Sequence, residues 1–210
     1  MKKWSNANIF SFLVTFICLI LLSGCNWVYN MDLSSSEDLE GVNEFNTEVP
    51  SFSFTDHNGH NMGTEQLMGE FWIAKMFFTN CPTVCPIMTP NMQTLQESTQ
   101  AKNLDVSYVS FTVDPEYDNA EHLKKYGENV GADLSNWTFA TGYEQKELAE
   151  FSKVAFLSPV EEVEGSEDIM HSTRFFLINP AGKAIKAYDG MMVDQDDILM
   201  DIENTVNEGL

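Results

Sequence analysis

A chain of 210 residues, 43% of them hydrophobic, can build one domain with a proper core and some additional segments. Its formal charge of −21, from 11 Lys and Arg against 32 Asp and Glu, excludes nucleic acid as a partner, because so acidic a surface repels phosphates. The same charge repels anionic lipid headgroups, so attachment to a membrane has to come from something other than surface electrostatics.

Lys2 and Lys3 precede an apolar run from Ile9 to Leu22, which closes on Leu22-Ser23-Gly24-Cys25. A short positive region, an apolar region too short to span a bilayer comfortably and small residues at its end predict a secretory signal. The last four residues look like a bacterial lipobox, in which Cys25 is lipidated and becomes the first mature residue. An ordinary signal peptide or a short anchor helix is the alternative. On the lipobox reading residues 1–24 are the signal peptide and Cys18 is discarded with it. Of the four cysteines only Cys81 and Cys85 then remain as thiols. The two acyl chains of a diacylglyceryl group would hold the protein on the extracytoplasmic face of the cell membrane. A disulfide can persist there.

Residues 25–48 are polar and acidic, with Ser34-Ser35-Ser36-Glu37-Asp38 at their centre, and read as a flexible tether. The domain is expected over 49–210. Phe52 and Phe54 alternate with Ser51, Ser53 and Thr55, as in a half-buried strand. Asn58-Gly59, between His57 and His60, signals a hairpin turn. Thr64 to Met68 suits one helical turn. Phe71 to Phe78 reads as a buried strand and Ile87 to about Thr99 as a helix, with Thr89-Pro90 resembling a cap and first-turn proline.

Asp105 to Val113 is the next strand, ended by Asp114-Pro115-Glu116. Asn119 to about Asn129 carries the period of an exposed helix that stops near Gly131. Trp137 to Ala140 follows as a strand and Glu144 to Lys153 as a short helix. Pro159 to Asp168 is an acidic loop without periodicity. Arg174 to Asn179 is a buried strand, turned by Pro180-Ala181-Gly182-Lys183 into another that ends near Tyr188. Gln195 to Asn207 closes the chain as a helix, and no internal repeat is visible. This order predicts an α/β domain with a thioredoxin-like mixed central sheet flanked by helices and an added β-hairpin.

Cys81-Pro82-Thr83-Val84-Cys85-Pro86 falls between the Phe71 strand and the following helix. That is the carboxyl end of a strand, where α/β sheets carry their chemistry. A helix amino terminus favours thiolate over thiol, and thiolate is both a nucleophile and a ligand for soft metals. Three residues separate the cysteines, where oxidoreductases of this fold have two. The pair can share a metal, cycle as a redox couple or form a plain structural disulfide.

His171 stands in Asp168-Ile169-Met170-His171-Ser172-Thr173, directly before a core strand. Thioredoxins carry a cis-proline there, facing the thiols, whereas this chain has no proline between Pro159 and Pro180. Cys81, Cys85 and His171 would make a soft set of three donors. Copper(I) accepts three-coordinate sulfur and nitrogen, and copper(II) would add a weak oxygen donor or water. Structural zinc normally closes with a fourth protein ligand. Copper fits best. Asp114 could face the same mouth, ordering the site or accepting a hydrogen bond from His171, or it could cap the turn that follows. Met88, Met170, Met191 and Met192 are further soft donors, read here as flexible core filling.

Together these motifs resemble the Sco/SenC family of membrane-attached, thioredoxin-like copper proteins that help assemble cytochrome c oxidase. The family's Cys-Pro-x-x-Cys-Pro stands at Cys81 to Pro86 and its Val-Asp-Pro-Glu at Val113 to Glu116. Its histidine-serine-threonine stands at His171 to Thr173, followed by the turn Asn179-Pro180-Ala181-Gly182. The similarity covers roughly Val49 to Asn207. It implies copper ligation by Cys81, Cys85 and His171, and delivery of copper to the dinuclear centre of oxidase subunit II. A metallochaperone is therefore expected. The alternative is a dedicated thiol-disulfide oxidoreductase that reduces the copper-ligand cysteines of its target. One departure from the family pattern is the long acidic loop Glu161 to Asp168 beside His171.

Overall fold

The computed structural model describes residues 39–166 and 168–209. The signal peptide expected at 1–24, Cys25 and the tether as far as Asp38 lie outside the described residues. The strands are β1 (Val42–Glu48), β2 (Ser53–Asp56), β3 (Asn61–Gly63), β4 (Phe71–Phe77), β5 (Val106–Thr112), β6 (Trp137–Thr141), β7 (Glu161–Glu162), β8 (Ile169–Met170), β9 (Arg174–Ile178) and β10 (Lys183–Asp189). The helices are α1 (Cys85–Ala101), α2 (Ala120–Asn129), α3 (Gln145–Ala155) and α4 (Asp196–Glu208), with a 3₁₀ turn at Thr64–Leu67. Eight strands form one sheet in the order β1-β10-β9-β4-β5-β6-β2-β3, and β7 pairs with β8 alone. β4, β5 and β6 are parallel, while the strands on either side join antiparallel. The mixed sheet expected from the order of elements is present.

β4 is buried at every position because strands flank both its edges and helices cover both its faces. A strand so placed reads as an almost unbroken apolar run. Its alternate residues serve two cores. On one face Lys75 reaches Thr89 of α1, and the Phe77 ring lies 5.5 Å from that of Tyr126 in α2. α4 packs on this face too, where Tyr188 of β10 donates to Asp201 and Lys102 of α1 pairs with Glu203. On the other face Phe111, level with Met76 in the register, meets Phe151 of α3 at 5.4 Å and Trp72 at 6.5 Å. Local signals agree with these helices. Asn119 caps α2 by accepting from the His122 N–H, and Glu144 and Glu147 form a capping box at the start of α3.

Four local expectations change. Residues 42–48, placed in the tether because they are polar and acidic, form β1 along the edge of β10. Val42 and Phe45 pack on the core while Glu44 and Glu48 pair with Lys186 and Lys183. A register shift between Glu44 and Thr47 interrupts the period of two, which hides the strand from a pattern reading. Helix α1 begins at Cys85, with Pro86 in its first turn, so Thr89 is a buried helical residue and Pro90 lies inside the helix. Lacking an N–H, Pro90 leaves one carbonyl of the first turn without its helical partner. The acidic loop closes on itself as the β7–β8 hairpin. Finally, Met170 is exposed rather than core filling, whereas Met88 is buried and Met191 and Met192 pack against the core.

Phe111 is fully buried and touches Phe52, Phe54, Trp72 and Phe151. Phe111→Ala should therefore cost about 3–5 kcal/mol, seen as a lower urea midpoint with an unchanged slope. A loss below about 1 kcal/mol would mean that this aromatic cluster is not the core of its face.

Candidate metal centre

The loop 78–84 brings Cys81 from the end of β4 to the mouth of α1, and Cys85 opens the helix. The backbone N–H of Cys85 points at Cys81 Sγ, 3.4 Å away, so a free donor of the helix start serves the first sulfur. His171 arrives from the segment between β8 and β9. Its Nε2 lies 4.0 Å from Cys85 Sγ, and its Nδ1 is 2.9 Å from the carbonyl oxygen of Ser172. An Nδ1–H donated to that carbonyl leaves the Nε2 lone pair facing the sulfurs, the tautomer a metal needs. The donor atoms of Cys81, Cys85 and His171 all lie within 4.8 Å of one another. Both cysteines are free and buried, and His171 is half-buried.

The neighbouring segments hold these donors in place. Thr83 Oγ1 lies 3.7 Å from Cys81 Sγ and donates to Asp168 at 3.4 Å, linking the cysteine loop to the acidic hairpin. Asn91 of α1 donates to the Gly190 carbonyl at 2.9 Å, and the Gly190 N–H donates to Thr173 O at 3.0 Å. Gly190 thus ties α1 to the histidine loop. A Cβ on it would fall 2.5 Å from Thr173 O, closer than atoms allow, so glycine is needed at this approach. The Phe78 ring meets the imidazole edge to face at 6.1 Å.

Among the described residues no hydrogen bond joins Asp114 to His171, whose Nδ1 lies instead on the Ser172 carbonyl. Its Oδ1 accepts from the Tyr117 N–H at 3.4 Å and its carbonyl from the Asp118 N–H, contacts that cap the turn after β5. The carboxylate that reaches the site's framework is Asp118. Fully buried, it accepts from the N–H and hydroxyl of Thr79, two residues before Cys81, and from the hydroxyl of Thr112 at the end of β5. Burial raises its pKa, against those hydrogen bonds. Lys75 is a second residue of the framework that no motif marks. Its ammonium is completely buried beneath α1, and burial pulls its pKa down to about 7, partly opposed by Cys85. A lone lysine in an eight-residue apolar run was the available signal for it.

The two thiols are unequal. Burial works against ionising Cys81. The adjacent His171 side chain, together with hydrogen bonds from the N–H groups of Cys85 and Thr83 and from the Cys85 thiol, outweighs it and brings the pKa from 9.0 down to about 6. Burial dominates at Cys85 and, with the adjacent Cys81 sulfur, pushes it up to about 12. The reduced pair therefore carries one thiolate at neutral pH, and it sits on the outer cysteine. Alkylation of the reduced chain by iodoacetamide should accordingly rise through about pH 6, level off by about pH 8 and fall on Cys81, with Cys85 protected. Peptide mapping across pH checks this; a rate still climbing at about pH 9, or label mainly on Cys85, contradicts it.

Residues 41–207 match the family model described as SCO1/SenC. The chain is similar to the SCO1 protein homolog of Bacillus subtilis (strain 168), with 42% identity over 160 residues, covering 76% of this chain and 83% of the relative. Among solved structures it resembles a SCO1/SenC family lipoprotein from Bacillus anthracis str. Ames (TM-score 0.72, 40% identity, 77% of this chain and 96% of that one). It also resembles BsSco, a member of the Sco family of cytochrome c oxidase assembly proteins in which a disulfide switch was identified (TM-score 0.71, 41% identity, 78% and 96%). Copper-bound yeast Sco1 shares the fold at greater distance (TM-score 0.65, 22% identity, 78% and 91%). With a match over most of its length, a thioredoxin-like sheet and both halves of the Cys-Cys-His group inside the matched region, this chain belongs to the SCO1/SenC family.

Proposed function

We propose that this protein is a copper metallochaperone, anchored on the extracytoplasmic face of the membrane through a lipidated Cys25. In this reading residues 1–24 are the removed signal, and a tether runs from Cys25 to the start of β1. The observation that carries it is the convergence of two sulfurs and one imidazole nitrogen within 4.8 Å. Two thiolates and a neutral imidazole suit copper, which accepts three-coordinate soft donors. Among the described residues no other His, Cys, Asp or Glu joins the group. A structural zinc would call for a fourth protein ligand. The fixed Nδ1–H of His171 presents Nε2 to the ion, and the Cys85 N–H supports the sulfur of Cys81. Copper is the cargo, and its destination is the dinuclear copper centre of cytochrome c oxidase subunit II. The lipoprotein description of the Bacillus anthracis relative and the oxidase-assembly description of BsSco support the anchor and the destination.

A second reading has its own support in the lowered pKa of Cys81 beside a protonated Cys85. Such a pair can reduce a disulfide on a target. The Cys81 thiolate attacks one sulfur of the target to form a mixed disulfide. Cys85 then gives up its proton and displaces the target's second sulfur, leaving the target as a dithiol and this chain with a Cys81–Cys85 disulfide. Disulfide formation removes two of the three donors, so the same step would release copper.

The reduced chain should take up about one copper per molecule with a strong sulfur-to-copper charge-transfer band, and the oxidised chain should take up none. Cys81→Ser, Cys85→Ser and His171→Ala should each weaken binding by on the order of 100-fold or more. Unchanged affinity in the oxidised chain would refute the assignment. His171→Ala also separates the two readings: a reductase should keep most of its exchange rate with a model disulfide, while a chaperone should lose its metal.

A further inference from the structure

Lys75 is an ionisable residue in the middle of β4 with no solvent exposure at all. Its Nζ donates to Thr89 Oγ1 at 2.7 Å, and the same hydroxyl accepts from Tyr126 at 3.1 Å. The Trp137 and Phe77 rings face the ammonium at 5.3 and 5.5 Å. Thr89 lies four residues after Cys85, one turn further along α1 on the same buried side. Lys75, held by Thr89, therefore stands about one helical turn behind the inner sulfur on the buried side of α1. No carboxylate is hydrogen-bonded to Nζ among the described residues. A cation kept in so apolar a place is costly unless an anion faces it.

The charge count of the site supplies that anion. Two thiolates, a neutral imidazole and copper(I) leave one net negative charge, whereas copper(II) or zinc in the same donors leaves none. We propose that Lys75 is the counter-charge of this centre: its ammonium behind α1 makes the copper(I) form neutral overall and so selects copper(I) over divalent ions. The inference rests on the copper reading above. In the metal-free protein the same charge favours the reduced, thiolate-bearing pair over the disulfide. Lys75 acts through space on the donor atoms and is a positioning charge, not a ligand.

The test compares the full chain with Lys75→Met, which keeps the length of the side chain and removes its charge, and with Thr89→Val, which removes the hydrogen-bond partner of Nζ. Replacing a buried charge by an apolar residue of similar size is generally tolerated by the fold. Two quantities are measured. One is the midpoint potential of the copper-loaded chain, followed by the charge-transfer band. The other is the dithiol–disulfide equilibrium of the metal-free chain in glutathione buffers. At an effective dielectric near 20, unit charges on the order of 10 Å apart interact by an amount worth roughly tenfold in an equilibrium constant. Lys75→Met should then lower the copper midpoint by about 59 mV and move the thiol pair tenfold, about 30 mV, toward the disulfide. Thr89→Val should shift both in the same direction by less, and it decides the matter alone if Lys75→Met does not fold. Normal copper uptake with both equilibria unmoved, within about twofold, overturns the counter-charge and leaves the copper reading standing. A parent chain that takes up no copper overturns the copper reading, and the selectivity with it.

Discussion

The sulfur of Cys81 accepts the backbone N–H of Cys85 at 3.4 Å, and much of the domain can be understood as the support for that contact. It requires a strand that ends where a helix begins, with a loop short enough to fold one cysteine over the first turn. The strand has to be held on both edges, which explains why β4 lies between β9 and β5 and is buried at all seven positions. The loop has to be pinned, and buried Asp118 does this by gripping Thr79 from the end of the neighbouring strand. The imidazole completes the group from the opposite side. Its loop is secured through the Gly190 bridge to α1, beside the contact of His171 with Cys85.

The inequality of the thiols follows from the same arrangement. The outer sulfur collects the donors of the helix mouth, while the inner one lies buried against the sheet with few donors and Lys75 one helical turn behind it. A nucleophile and a resolving partner, or two ligands of unequal basicity, arise from one geometric asymmetry. The proposed copper chemistry and the proposed exchange chemistry use this asymmetry in different ways.

Most of the architecture was legible in the chain because its signals are local. The apolar run before Cys81, the capping residues Asn119 and Glu144 and the turn at Asn179 to Gly182 each mark an element by themselves. The three donors were legible because a motif places each at the end of a strand that the fold brings to one rim. What escaped depends on tertiary context. β1 looks like solvated chain because five of its seven residues are polar, Glu44 and Glu48 among them, and a bulge breaks its alternation, and only β10 beside it makes it a strand. Asp114 and Asp118 are equally plausible in sequence, and burial alone tells them apart. Lys75 stays inconspicuous in the chain because an apolar run predicts a buried strand without saying where its one charge will go.

β1 has a consequence for how the thiol rim is presented. It runs antiparallel to β10, with Val42 level with Tyr188, so the chain enters the sheet at the end where β4 finishes and Cys81 sits. The N–H of Asp189 donates to the Gly41 carbonyl, fastening that entry point beside the bridge formed by Gly190. β1 therefore holds the first described residues at the rim that carries the donor atoms, and a change in how it pairs with β10 reaches the histidine loop through Asp189 and Gly190.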